Sequence, residues 1–146
     1  MTTEIKRKDM RLGIKGWIYG GKYWMERYGY LFHRITGLAL VFYLFLHIFV
    51  TGERTRGERV WSKVMEIMEK EYLEFLEFLL LVAFIYHAIN GLRLIFTEFG
   101  FFTGKPAPPK YPYKMSIKAQ RPFMYLLMFL AAVFIIISAL DFFQII

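Results

Sequence analysis

The chain is predicted to be an all-α membrane protein with three transmembrane helices and a cytoplasmic N-terminus. Three observations carry this. The hydrophobic share is 57%, and most of it is gathered into three long apolar stretches. Each stretch reaches the roughly 20 residues that a helix needs to cross a bilayer. The charged residues fall in blocks between the stretches, and their signs are unevenly distributed.

Residues 1–29 form a cytoplasmic N-terminal segment that is basic, glycine-rich and aromatic. No cleavable signal peptide is expected, because the apolar stretch that follows is too long for a signal h-region. The first transmembrane helix is assigned to residues 30–51, where the run from Leu31 to Val50 is interrupted only by His33, Arg34, Thr36 and His47. An outer loop follows over 52–73. Within it Val60, Trp61, Val64, Met65 and Met68 recur at helical spacing, which predicts a short amphipathic helix on the membrane surface.

The second span is assigned to 74–97, with Glu74 and Glu77 at its outer end, Arg93 at its inner end, and His87 and Asn90 inside the apolar run. Gly100 or Gly104 is available to end it. The connector over 98–121 includes Gly104-Lys105-Pro106-Ala107-Pro108-Pro109-Lys110-Tyr111-Pro112, which reads as a stiff extended linker without phosphate-loop spacing. The third span is assigned to 122–146. Pro122 suits a first helical position, where its missing N–H is no loss, and Asp141 and Gln144 mark the far exit.

Lys6, Arg7, Lys8, Arg11, Lys15, Lys22 and Arg27 precede the first span, and Lys105, Lys110, Lys114, Lys118 and Arg121 lie between the second and third. Both segments are therefore expected in the cytoplasm and the C-terminus outside. The basic residues of the outer loop are matched by glutamates from Glu53 to Glu71. The net charge of +7 is accordingly a topology signal, and no aromatic-interleaved basic pattern points to nucleic acid. The absence of cysteine excludes disulfides, an iron–sulfur cluster on this chain and covalent haem attachment. A redox centre here would have to be held by histidine.

All three histidines fall in the apolar stretches. On the first helix His33, Gly37, Leu40, Leu44 and His47 recur at alternating four- and three-residue steps and share one face, which is expected to point at a partner. His33 and His47 are separated along that helix by roughly 21 Å, too far for one cofactor to touch both rings. Aligning the inner ends of the first two helices, near Leu31 and Phe96, sets His87 roughly 13 Å deep and His47 roughly 10 Å deeper. His47 and His87 are thus not expected to share one iron, and each would need a second ligand from another polypeptide. A low-spin b-type haem requires two neutral imidazoles facing across an apolar slot, and Ala83 and Gly91 are small residues on the face of His87. The competing reading is that an intramembrane histidine hydrogen-bonds a neighbouring carbonyl and does no chemistry, or, for His33 beside Arg34, that the pair reaches to the headgroups.

Two elements resemble the cytochrome b membrane anchor of succinate dehydrogenase and fumarate reductase. One is His33-Arg34-Ile35-Thr36-Gly37 at the start of the first span. The other is His87, Gly91 and Arg93 followed by Glu98, Phe99 and Gly100 on the second. The resemblance runs from about Tyr28 to the end. It implies a subunit without catalytic activity of its own in a prokaryotic plasma-membrane complex, part of a larger helix bundle with a second membrane-anchor subunit. A flavoprotein would oxidise succinate, an iron–sulfur subunit would pass the electrons on, and quinone would be reduced where that subunit meets the anchor.

By the family pattern His87 is the axial ligand of a proximal haem b, His33 lies near a haem propionate, and Arg34 and Tyr30 line the quinone pocket. Tyr30 departs from the serine common at its position, and Leu94 stands where some relatives have another histidine. His47 resembles the additional histidine of two-haem members and is the expected ligand of a distal haem b, opposed like His87 by a partner histidine. Two further readings remain. One is a haem-free structural anchor; the other is a fumarate reductase anchor working in reverse. A small transporter with a His and Arg proton relay would need a substrate path for which three helices leave little room.

Overall fold

The computed structural model describes residues 24–105, 108 and 116–144. The basic residues ahead of Arg27, the connector residues Lys110 and Lys114, and most of the proline-rich stretch lie outside the described residues. Among those described, every regular element is helical.

Helix α1 runs Trp24–Gly52, α2 Glu58–Met68, α3 Glu71–Glu98 and α4 Arg121–Phe142; short 3-10 turns occupy Glu53–Arg56 and Ser116–Gln120. Helices α1, α3 and α4 are long and apolar enough to cross a membrane, so the chain is a multi-pass membrane protein. At 29 residues, α1 is roughly 44 Å long, well beyond the ~30 Å hydrocarbon layer. Its helix therefore starts about two turns ahead of the apolar run, because nothing in Trp24 to Tyr30 breaks helical geometry.

Helix α3 lies between α1 and α4 and packs on both. Phenylalanines join α3 to α4 at each end. Phe78 meets Phe142 and Phe143 with ring centroids 5.5 and 5.2 Å apart, and Phe96 meets Phe123 at 5.8 Å. Helix α1 reaches α4 through an ion pair, Arg121 Nε to Glu26 Oε1 at 2.7 Å and Nη2 to Oε2 at 3.1 Å. This two-pronged geometry fixes direction as well as distance.

Burial is inverted relative to a water-soluble protein. Large apolar side chains such as Leu38, Phe42, Phe45 and Phe49 face outward, while the best-buried positions include Asn90, Arg93 and Gln120 beside Met124 and Ala131. Lipid solvates the apolar faces, so polar groups gain by turning inward to one another.

Chain reversals follow from local chemistry. Helix α3 ends in a Schellman arrangement, in which Phe101 N–H donates to Phe96 C=O at 2.9 Å and Gly100 N–H to Thr97 C=O at 3.0 Å. Gly100 adopts φ 82°, and the Phe96 and Phe101 rings make the accompanying apolar contact at 6.2 Å. Of the two glycines available to stop this helix, Gly100 does so. Phe102 also has a positive φ, 62°, and its ring stacks on Phe123 at 4.1 Å, a contact that holds it in that strained region. Pro122 is the second residue of α4, since the helix begins with Arg121 directly after the 3-10 turn. In α2, Val60, Trp61, Val64 and Met68 form the half-buried stripe expected of an amphipathic helix, while Met65 is exposed.

Replacing Gly100 with alanine is expected to lower stability by about 1 kcal/mol, because φ 82° is open to glycine at no cost and strained for alanine. Gly52 has φ −59° and open space around it, so Gly52→Ala should be neutral or stabilise by about 0.5 kcal/mol. Unfolding of the two variants in mixed detergent, followed by far-UV circular dichroism, checks the contrast in sign.

Candidate functional site

The site is built where α1 and α3 approach most closely, and the approach depends on two glycine–histidine contacts. A Cβ on Gly37 of α1 would lie 2.8 Å from His87 Cε1, and one on Gly91 of α3 would lie 3.6 Å from His33 Cε1. Each helix thus offers a glycine where the other presents an imidazole. The two rings stack with centroids 4.0 Å apart and planes 9° from parallel. The 2.8 Å figure admits no side chain, whereas 3.6 Å is ordinary contact.

One turn from the stack, α1 crosses α3 at Gly29. Tyr86 Oη donates to Gly29 C=O at 3.1 Å, Asn90 Nδ2 lies 3.5 Å from the same oxygen, and Arg93 Nη2 would be 3.7 Å from a Cβ there. Gly29, His33 and Gly37 stand at four-residue steps and make one stripe, so small residues bring the backbones together and the polar side chains of α3 reach carbonyls across the gap. Arg93 is only 2% exposed, and its Nε and Nη1 have no partner among the described residues. The buried His33 Nδ1 likewise has none among them.

His87 is held by α1. Its Nδ1 is 3.1 Å from His33 C=O and 3.2 Å from Thr36 Oγ1. Beside the stack, Arg34 Nη1 donates to Tyr30 Oη at 2.9 Å, with the guanidinium carbon 5.5 Å from the tyrosine ring centroid. Both side chains are exposed on the chain's own surface. His47 stands apart, exposed, with Nδ1 3.2 Å from Tyr43 Oη.

The structure brings together four of the five residues singled out from the sequence, His33, His87, Arg34 and Tyr30, and leaves His47 ten residues beyond Gly37, roughly 15 Å along α1. Three expectations are corrected. Aligning Leu31 with Phe96 would separate His33 and His87 by roughly 10 Å in depth, yet their rings touch. The helices are slid relative to that alignment because α1 begins at Trp24 and Gly29 must meet Tyr86, Asn90 and Arg93. The histidine face of α1 was expected to point at a partner. Its N-terminal half instead meets the chain's own α3 through His33 and Gly37, Leu40 is half-buried, and only Leu44 and His47 remain exposed. Gly91, expected to give a porphyrin room beside His87, has its open side toward His33.

Thr36, Tyr43, Tyr86 and Gly29 were not singled out as site residues. Tyr43 precedes His47 by four residues, a spacing that places the pair on one face. Thr36 carries no comparable signal, because a threonine in an apolar helix ordinarily bonds its own backbone.

A family model described as the succinate dehydrogenase/fumarate reductase transmembrane subunit matches residues 21–137. The chain is similar to the succinate dehydrogenase hydrophobic membrane anchor subunit of Halobacterium salinarum, 35% identical over 74 residues, which cover 50% of this chain and 57% of that protein. It is also similar to the corresponding anchor subunit of Archaeoglobus fulgidus, 32% identical over 74 residues, covering 51% and 63%. The succinate dehydrogenase 2 membrane subunit SdhC of Mycobacterium tuberculosis is 28% identical over 67 residues, covering 46% and 49%. The chain thus matches about half to just under two-thirds of the length of these curated relatives.

Gly37→Ala is expected to destabilise by about 1–3 kcal/mol, because its methyl must displace the His87 ring from a packed contact. Gly91→Ala should be neutral or stabilise by up to about 1 kcal/mol, since a methyl there meets His33 at ordinary van der Waals distance and alanine is the better helix former. Detergent-unfolding midpoints of the two variants measure the difference.

Proposed function

The chain belongs to the succinate dehydrogenase/fumarate reductase transmembrane-subunit family, and from that premise we propose that it is the cytochrome b membrane anchor of a succinate:quinone oxidoreductase. In this reading the chain has no catalytic activity alone. It docks an iron–sulfur subunit and a flavoprotein and pairs with a second membrane-anchor subunit, with its N-terminus in the cytoplasm of a prokaryote. His87 is the axial ligand of a proximal haem b, His47 that of a distal haem b, and the second anchor supplies both opposing histidines. His33 contacts a haem propionate.

The donor set fits such a group. His87 and His47 each engage Nδ1 in a hydrogen bond within the chain, which leaves Nε2 for an iron. Their different levels suit two haems better than one shared between them. Bound haem would supply one-electron storage beside the quinone. The chain's own part in quinone reduction falls to Arg34 and Tyr30. The Arg34 guanidinium donates to the Tyr30 hydroxyl oxygen, which leaves the phenolic proton free to be donated to a quinone oxygen. The fixed positive charge beside that oxygen stabilises the negative charge that develops as electrons arrive.

The observation that supports this reading most is the gathering of function-bearing groups by one short stretch of α1. From Gly29 to Gly37 it brings the His33–His87 pair and the Arg34–Tyr30 pair to one level of the bundle. The same stack favours a second reading, a haem-free anchor, in which the imidazoles serve packing alone. The residues would serve fumarate reduction equally well.

Haem b per purified complex, from reduced-minus-oxidised spectra, separates the readings. Two haems falling to one with His47→Ala and to one with His87→Ala is the expected result, while a wild-type complex without haem would sink the cytochrome reading. Arg34→Gln should lower succinate:quinone reductase activity by about 10²–10³-fold and Tyr30→Phe by up to about tenfold. Succinate oxidation by a soluble dye acceptor, which bypasses the quinone site, should be unaffected in both.

A further inference from the structure

Two oxygens face His87 Nδ1, the His33 carbonyl at 3.1 Å and Thr36 Oγ1 at 3.2 Å. A carbonyl can only accept. A hydroxyl could do either, but it has one proton, and here that proton has a closer use: Thr36 Oγ1 is 2.8 Å from Phe32 C=O and 3.1 Å from His33 C=O on its own helix. Donating to Phe32 leaves the oxygen lone pairs turned toward α3.

With the proton on Nδ1, all three contacts are satisfied at once: Nδ1–H donates to the His33 carbonyl and the threonine oxygen, and the threonine proton goes to Phe32. With the proton on Nε2, a nitrogen lone pair would face the His33 carbonyl oxygen at 3.1 Å, and the threonine would have to give up its 2.8 Å bond to serve it. Lipid offers no water to relieve that conflict. Gly37 packs against the Nδ1–Cε1 side of the ring, where a Cβ would lie 2.8 Å from Cε1, 3.4 Å from Nδ1 and 3.8 Å from Nε2.

We infer that Thr36 is a positioning residue which, with the His33 carbonyl, keeps the proton on His87 Nδ1 and so makes Nε2 the nitrogen that ligates a haem iron. This rests on the reading of His87 as a haem ligand. The Nδ1–H···O bonds also give the ring more anionic character, which favours ferric over ferrous iron. Gly37 completes the arrangement by letting the ring come close enough to α1 for these bonds to form, since a Cβ there would lie 2.8 Å from Cε1.

The test uses the purified complex carrying Thr36→Val, which keeps the shape and removes the oxygen, and Thr36→Ser, which keeps the oxygen. His87→Ala identifies the haem concerned. Haem content, the midpoint potential of the His87 haem and its ferric electron paramagnetic resonance signal are read. Thr36→Val is expected to raise the potential by up to about 59 mV, a tenfold loss of ferric preference for a one-electron couple, with Thr36→Ser close to wild type. Loss of haem in Thr36→Val that Thr36→Ser restores supports the inference equally, since outer-sphere partners commonly contribute about 10–100-fold to metal affinity. An unchanged potential and signal in Thr36→Val, or the same change in both variants, would overturn the role of Thr36 and leave the haem assignment standing. Full haem content in His87→Ala would overturn the assignment itself and this inference with it.

Discussion

The close crossing of α1 and α3 is the constraint on which the rest of the molecule depends. In lipid, two apolar helices gain little by hiding from solvent, because hydrocarbon solvates leucine as well as another leucine does. Association has to come from tight packing and from polar groups that find partners. Gly29, Gly37 and Gly91 supply the first, and Tyr86, Asn90 and His87, reaching carbonyls of α1, supply the second. The two are linked, since His87 reaches the His33 carbonyl only because Gly37 has no side chain in the way.

Once α1 is seated, the other features follow at the same end of the bundle. The Glu26 carboxylate at the start of α1 meets Arg121 at the start of α4, so α4 is tied to α1 although it packs mainly on α3. Arg93 is enclosed between these elements, and Gln120, where α4 begins, is buried near them. A buried guanidinium is costly without hydrogen bonds, and Arg93 Nε and Nη1 have none among the described residues. This end of the bundle is therefore polar inside and apolar outside, the inverse of a water-soluble protein.

The C-terminal half of α1 behaves differently. From Val41 to Phe49 the helix is exposed all round, and His47 with Tyr43 stands on a face that no other described element covers. In the proposed assembly that face belongs to the second anchor subunit, whereas the N-terminal half is already satisfied within the chain. One continuous histidine stripe is thus divided between an internal contact and an open one, and the division arises because the helices stay close only where glycines permit it.

What the sequence by itself determined is the set of local properties. Three apolar runs of spanning length, the amphipathic period of α2 and a glycine stop for α3 at Gly100 or Gly104 each depend on residues a few positions apart, where helix geometry is invariant. The chemistry of the candidate residues was equally legible, because His33, Arg34 and His87 are conspicuous in apolar stretches. Only the tertiary structure decided how two antiparallel helices slide past one another. Alignment of their apolar ends puts His33 and His87 at different depths; the structure stacks them, because register is set by a few glycines and polar side chains far apart in sequence. Thr36 could not be chosen from the sequence for the same reason. Its own helix explains its hydroxyl completely, and the imidazole that lends it meaning lies 51 residues away on α3.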